Sequence, residues 1–152
     1  MVLRERRPRL ILGPMFPVML CITLPLIAVL PWIFYFTLFL PSLKSTPFLV
    51  VYPLVAVCAL WGLLATACTD PGLVERVTAD APEGWVWSDQ VDSYRPRTAM
   101  YCPESNAIIE GYDHVCCWTG TAIGARNWNA FTCFACGGVL LMVSTAVLMS
   151  GG

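Results

Sequence analysis

The sequence predicts an α-helical polytopic membrane protein, with three transmembrane helices and a small cytosolic domain between the second and third. Three observations predict it. Of the 152 residues, 57% are hydrophobic and only 12% charged, where a soluble domain carries roughly 25% charged residues. The charges are segregated: Lys44 is the only charged side chain between Leu10 and Asp70, and none follows Arg126. The apolar blocks so defined are long enough to cross a bilayer as helices, which takes about 20 residues. A net charge of −1 argues against nucleic acid as a partner, because phosphate binding needs a basic surface.

Residues 1–10 form a basic N-terminus, with Arg4, Arg6, Arg7 and Arg9 against Glu5. The apolar run behind them is longer than a signal-peptide core of about 7–15 residues. The arginines therefore read as a positive-inside anchor that leaves this end in the cytosol. Residues 11–40 hold the first transmembrane helix, with its span at about Met15 to Leu38 and a kink expected near Pro25 or Pro31, since proline removes a backbone donor. Trp32, Phe34, Tyr35 and Phe36 mark its far end, as interfacial aromatics do. A short turn from Pro41 to Pro47, containing Lys44, makes the second span, residues 48–68, antiparallel to the first.

Asp70-Pro71-Gly72 stops the second helix, because the residue before a proline avoids helical backbone and glycine permits a sharp turn. Residues 69–128 are then a cytosolic loop. In it Trp85 and Trp87 stand two apart, which suits a short strand or a membrane-surface contact; a packed loop is the reading adopted. Residues 129–150 form the third helix. The eight cysteines do not read as a disulfide framework. Cys21, Cys58 and Cys68 fall inside apolar spans, where a thiol acts as a small apolar side chain, and the others lack paired spacing.

The stretch from Tyr101 to Phe131 carries the chemistry. Asp113, the lone histidine His114, and Cys116 lie within four residues. A thiol becomes a nucleophile as thiolate, an imidazole takes its proton, and a carboxylate orients the imidazole. The same three residues also fit an ordinary polar loop, since a base must lie within hydrogen-bond reach of its proton. A structural zinc needs four good ligands. Cys102, His114, Cys116 and Cys117 lack the Cys-x-x-Cys knuckle, and the only such pair, Cys133 and Cys136, sits at the mouth of the third span.

Asp113-His114-Val115-Cys116 resembles the signature of the DHHC protein S-acyltransferases, with valine for the second histidine. Downstream, Trp118, Ile123, Gly124, Asn127 and Phe131 match the family pattern. Upstream, so do Cys102, Asn106, Ile109 and Arg95-Pro96, the last pair standing for the family's Lys-Pro. Asp70-Pro71-Gly72 matches the motif that follows the family's second span. The resemblance covers the membrane layout from Ile11 onward, and residues 95–131 in detail.

It implies a palmitoyltransferase that moves a fatty acyl group from acyl-CoA, through a Cys116 thioester, to a cysteine of a target protein. Cys116 would be the acylated nucleophile, His114 its base and Asp113 the base's orienting partner. Trp118 would pack near the site or line the acyl cavity, with packing favoured. Asp70, Pro71, Gly72, Gly124 and Asn127 would be structural. The implied partners are the membrane, fatty acyl-CoA as co-substrate, and membrane-associated proteins with cytosolic cysteines. The implied location is an endomembrane (Golgi or endoplasmic reticulum) or the plasma membrane, with the catalytic loop cytosolic.

The departures carry their own expectations. In the family two zinc ions stabilise the cysteine-rich domain, here about residues 88–131. Ser88, Val91, Tyr101 and Ile108 occupy the positions of one ligand set, and Cys102, Ser105, Val115 and Ala122 those of the other. Only Cys102 remains a family ligand, so zinc is not expected and packing is expected to replace it; no bound cofactor is expected. Cys117 stands for the family's proline and Thr121 for its asparagine. A fourth span and a Thr-Thr-x-Glu motif complete the family pattern and do not occur in this sequence, so a C-terminally truncated member is implied. The alternative is a catalytically inactive member acting as a membrane adaptor or regulatory partner.

Overall fold

A computed structural model describes residues 12–42 and 46–150. The basic N-terminal anchor, Ile11 and the loop around Lys44 lie outside the described residues. Among the described residues there are three long helices and, between the second and third, three short β-hairpins. All three helices are long and apolar enough to cross a membrane: Phe16–Thr37, Phe48–Cys68 and Trp128–Val147. The protein is thus a polytopic helical membrane protein.

The first helix, α1 (residues 16–42), is segmented. Its α-helical turns are interrupted by π-helical turns at Met19–Thr23 and Tyr35–Phe39 and by a break at Val29, whose φ is −115°. Pro25 and Pro31 each fall in the opening turn of a fresh segment, Leu24–Ala28 and Leu30–Phe34. A proline without an N–H is tolerated there and disruptive further along. The break at Val29 thus lies between the two prolines.

The second helix, α2 (Thr46–Cys68), contains Pro53. Proline at that position leaves the Leu49 carbonyl without its intrahelical donor. The Tyr35 hydroxyl of α1 donates to that carbonyl at 3.1 Å, so the neighbouring helix supplies the missing bond, as backbone inside a bilayer requires. Tyr35 also stacks on Tyr52, with ring centroids 6.5 Å apart.

The third helix, α3 (Trp128–Ser150), packs along α2. Small residues set the approach: a Cβ on Gly62 would stand 2.6 Å from the Phe134 nitrogen, and one on Gly137 would stand 2.8 Å from the Ala59 Cβ. Close approach through small side chains is the usual way helices associate in lipid, where no hydrophobic force drives them together. Ala56, Ala59 and Tyr52 of α2 bury themselves with Leu141 of α3. Tyr52 and Thr145 share a hydrogen bond of 3.1 Å across the pair.

The hairpins are β1–β2 (Val86–Ser88 and Ser93–Arg95), β3–β4 (Ala99–Cys102 and Ala107–Glu110) and β5–β6 (His114–Cys116 and Thr121–Ile123), all antiparallel. Trp87 faces Tyr94 directly across β1–β2, and their rings meet edge to face at 5.1 Å. Cross-strand aromatic pairs of this kind stabilise short hairpins. The segment read from sequence as a packed loop is therefore a strand at Trp87, and Trp87 remains 45% exposed. All eight cysteines are free thiols.

Candidate acyl-transfer site

The β5–β6 hairpin and the residue before it carry the three candidate residues, Asp113, His114 and Cys116. Successive side chains of a strand point to opposite faces. His114 and Cys116 therefore share one face of β5, and both line the same cavity. Val115 takes the other face and packs into the cluster of Cys102, Ile109 and Ala122. Asp113, just before the strand, donates its N–H to the Ile123 carbonyl at 2.9 Å. Its carboxylate Oδ2 lies 2.7 Å from His114 Nδ1. A carboxylate only accepts, so Nδ1 carries a proton in this contact, and in a neutral ring Nε2 is then the nitrogen that can accept one. Phe131 of α3 meets the imidazole edge to face at 5.3 Å and fixes the ring from the membrane side.

The thiol and its neighbours differ in exposure. Cys116 is 7% exposed, whereas the His114 and Asp113 side chains are 41% and 54% exposed. The thiol is thus shielded, while the imidazole and the carboxylate are open to solvent.

The cavity measures about 880 Å³ and is overwhelmingly apolar. Leu26, Leu30 and Phe34 of α1 form one wall, α3 forms the other, and His114, Cys116 and Trp118 stand at one end. Its α3 lining runs from Phe131 to Met149, a length of about 27 Å at the helical rise of about 1.5 Å per residue. Trp118 is 54% exposed and lines this space, so it is not the buried packing residue favoured from sequence.

Both ends of the hairpin are fastened to the helices. At the turn, Gly120 has φ +73°, a conformation glycine adopts without strain. Its carbonyl accepts from the Met15 N–H at 3.1 Å, and its own N–H donates to the Cys116 carbonyl at 2.9 Å. A Cβ on Gly120 would stand 2.8 Å from the Phe16 Cα, so only glycine lets the start of α1 dock there.

At the other end Asn127, fully buried, accepts from the Gly124 N–H at 2.9 Å. Its amide donates to the Ala122 carbonyl at 2.9 Å, with the Thr66 carbonyl of α2 at 3.5 Å. A Cβ on Gly124 would stand 2.4 Å from the Pro71 carbonyl oxygen. Asp70 accepts from the Gly72 and Leu73 N–H groups through Oδ1 and from Arg126 through Oδ2. The Arg126 N–H in turn donates to the Pro71 carbonyl at 3.3 Å. The structure thus joins Asp70, Pro71, Gly72, Gly124 and Asn127 in one clamp where α2 ends and α3 begins. The roles of Arg126 and of Met15 at the Gly120 turn have no signal in the sequence.

Residues 83–151 match the family described as DHHC palmitoyltransferase. That stretch is a little under half of the chain, and it is similar to the DHHC palmitoyltransferase domain. The chain is 30% identical over 92 residues to a protein of Dictyostelium discoideum named as a ZDHHC-type palmitoyltransferase 1, covering 47% of this chain and 21% of that one. It is 26% identical to human palmitoyltransferase ZDHHC13 over 68% of this chain and 19% of that protein. Protein S-acyltransferase 8 of Arabidopsis thaliana is 38% identical over 33% of this chain and 12% of its own. The chain spans about a fifth or less of the length of these curated relatives.

The family's two zinc ions can be tested against the side chains that stand at their ligand positions. Val91, Tyr101 and Ile108 pack together with Ala99, and Cys102, Val115 and Ala122 pack together with Ile109. Three of the four positions in each former ligand set share one apolar cluster, while Ser88 donates to Gln90 and Ser105 stays outside its cluster. Valine, isoleucine and alanine offer no donor atom, and the Cys102 thiol donates to Glu104 Oε2 at 3.5 Å, whereas zinc binds thiolate. Among the described residues no three His, Cys, Asp or Glu side chains converge. These residues do not fit zinc.

Proposed function

We propose that the protein is an S-acyltransferase whose nucleophile is Cys116. What carries the reading is one arrangement: His114, held through Nδ1 by Asp113, shares a strand face with Cys116 at the end of an 880 Å³ apolar cavity. Nε2 of His114 takes the Cys116 proton, and the thiolate attacks the thioester carbonyl of a fatty acyl-CoA such as palmitoyl-CoA. The carbon–sulfur bond to coenzyme A breaks, the acyl group stays on Cys116, and the coenzyme A thiolate leaves with the proton that His114 returns. A thiol of a membrane-associated target protein then repeats the attack and regenerates free Cys116. The roles follow the logic of a nucleophile, a base and an orienting carboxylate. The apolar walls suit the acyl chain, and the half-exposed imidazole suits proton exchange with water. The reacting end would face the cytosol of an endomembrane or the plasma membrane, where acyl-CoA and cysteine-bearing targets meet.

Metabolic labelling with an alkyne-tagged fatty acid tests the reading. Label that hydroxylamine removes, present on the wild type and missing from Cys116→Ser, supports it. A wild type that takes no label overturns it and leaves the protein as an inactive membrane adaptor.

A further inference from the structure

We propose that two apolar clusters replace the family's two zinc ions, so that the hairpin domain folds metal-free and holds its reactive strand by packing. Three observations carry this. Three of the four positions in each former ligand set converge on one cluster: Val91, Tyr101 and Ile108 around Ala99, and Cys102, Val115 and Ala122 around Ile109. Cys102 is the one ligand thiol left inside the domain, and its sulfur donates to Glu104 Oε2 instead of binding metal. Coordinated replacement has filled both volumes, leaving Ala99, Cys102 and Ile109 without exposed surface.

Val115 links the second cluster to the site. It lies between His114 and Cys116 on β5 and points to the opposite face. The anchor that a ligand–metal bond gives the strand in the family is here an apolar contact. Ser105 keeps a trace of the earlier chemistry. Its Oγ is buried without a hydrogen-bond partner, a polar atom left where a ligand would have stood. Metal-free folding is independent of acyl transfer, so a protein without acyl-enzyme would leave this proposal standing.

The test measures zinc in the purified full chain by plasma mass spectrometry, together with Tm in detergent with and without a strong zinc chelator. Zinc far below one atom per chain and an unchanged Tm are expected. Zinc near one or two atoms per chain, or a Tm that falls with chelator, overturns the proposal. A second arm restores the ligand types with Ser105→Cys, Val115→His and Ala122→Cys beside the native Cys102. That variant should gain about one zinc, consistent with the four-ligand requirement, and become chelator-sensitive. A folded variant that binds no zinc contradicts the convergence of these positions. If the variant does not fold, the metal content and chelator response of the unaltered protein decide the question.

Discussion

A single acceptor, Asp113 Oδ2, decides which nitrogen of His114 carries a proton. Asp113→Asn keeps the shape but replaces a pure acceptor with an amide that also donates. Acyl-enzyme formation should fall by about 100-fold or more, the scale of a lost general base, in single-turnover assays with the fold intact by circular dichroism. Asn127 uses hydrogen bonding structurally instead. Asn127→Ala leaves the buried Gly124 N–H and Ala122 carbonyl unpaired, each costing about 1–3 kcal/mol. A clear drop in Tm should result, with Asn127→Asp intermediate because it still accepts from Gly124. Tyr112 adds a pH dependence: burial pushes its hydroxyl above the usual 10.0, and the Cys102 sulfur, Glu104 and Asp113 add to the rise. The folded state resists ionising this group, so its contribution is intact below pH 10 and is lost as pH rises from there through the folded value. Alkaline unfolding should therefore be delayed in Tyr112→Phe relative to the wild type's own neutral-pH stability. The residue types at Asp113, His114 and Cys116 were legible because they sit together in sequence. The Asp70–Arg126 pair was not, because its members stand 56 positions apart and neither has a periodic pattern around it.

At the scale of elements, composition announced the helices and left their interior chemistry hidden. The kink in α1 follows from Pro25 and Pro31, which any reading of the sequence finds. Rescue of the Leu49 carbonyl by Tyr35 depends on two helices meeting, which no local pattern encodes. Tyr35→Phe should lower stability by about 1 kcal/mol, the usual net worth of one hydrogen bond, seen as a small Tm shift in detergent. Gly62 is less forgiving. A side chain there meets the backbone of Phe134, not the far end of a flexible group. Gly62→Val should push α2 and α3 apart, lower Tm by several degrees and narrow or open the cavity, with reduced labelling at Cys116. The β1–β2 hairpin was missed because three-residue strands carry too few residues to show alternation; only the Trp87 spacing hinted at it.

Across the whole molecule, three membrane helices hold an apolar cavity, and a strand-bearing domain fastened at both ends of one hairpin brings a thiol, an imidazole and a carboxylate to it. The layout was legible from charge segregation alone, and the likeness to DHHC palmitoyltransferases from motifs in the right order. Convergence of the former metal positions into two packed clusters was not, because adjacency in a folded hairpin domain is invisible to spacing. Activity rests on whether that packing keeps Cys116 reactive. The most direct measurement is the intact mass of the purified protein after brief mixing with palmitoyl-CoA. A gain of one palmitoyl group, removed by hydroxylamine and missing in Cys116→Ser, is the predicted result. An unchanged mass, or an adduct that persists in Cys116→Ser, would contradict the assignment of Cys116 as the acylated nucleophile.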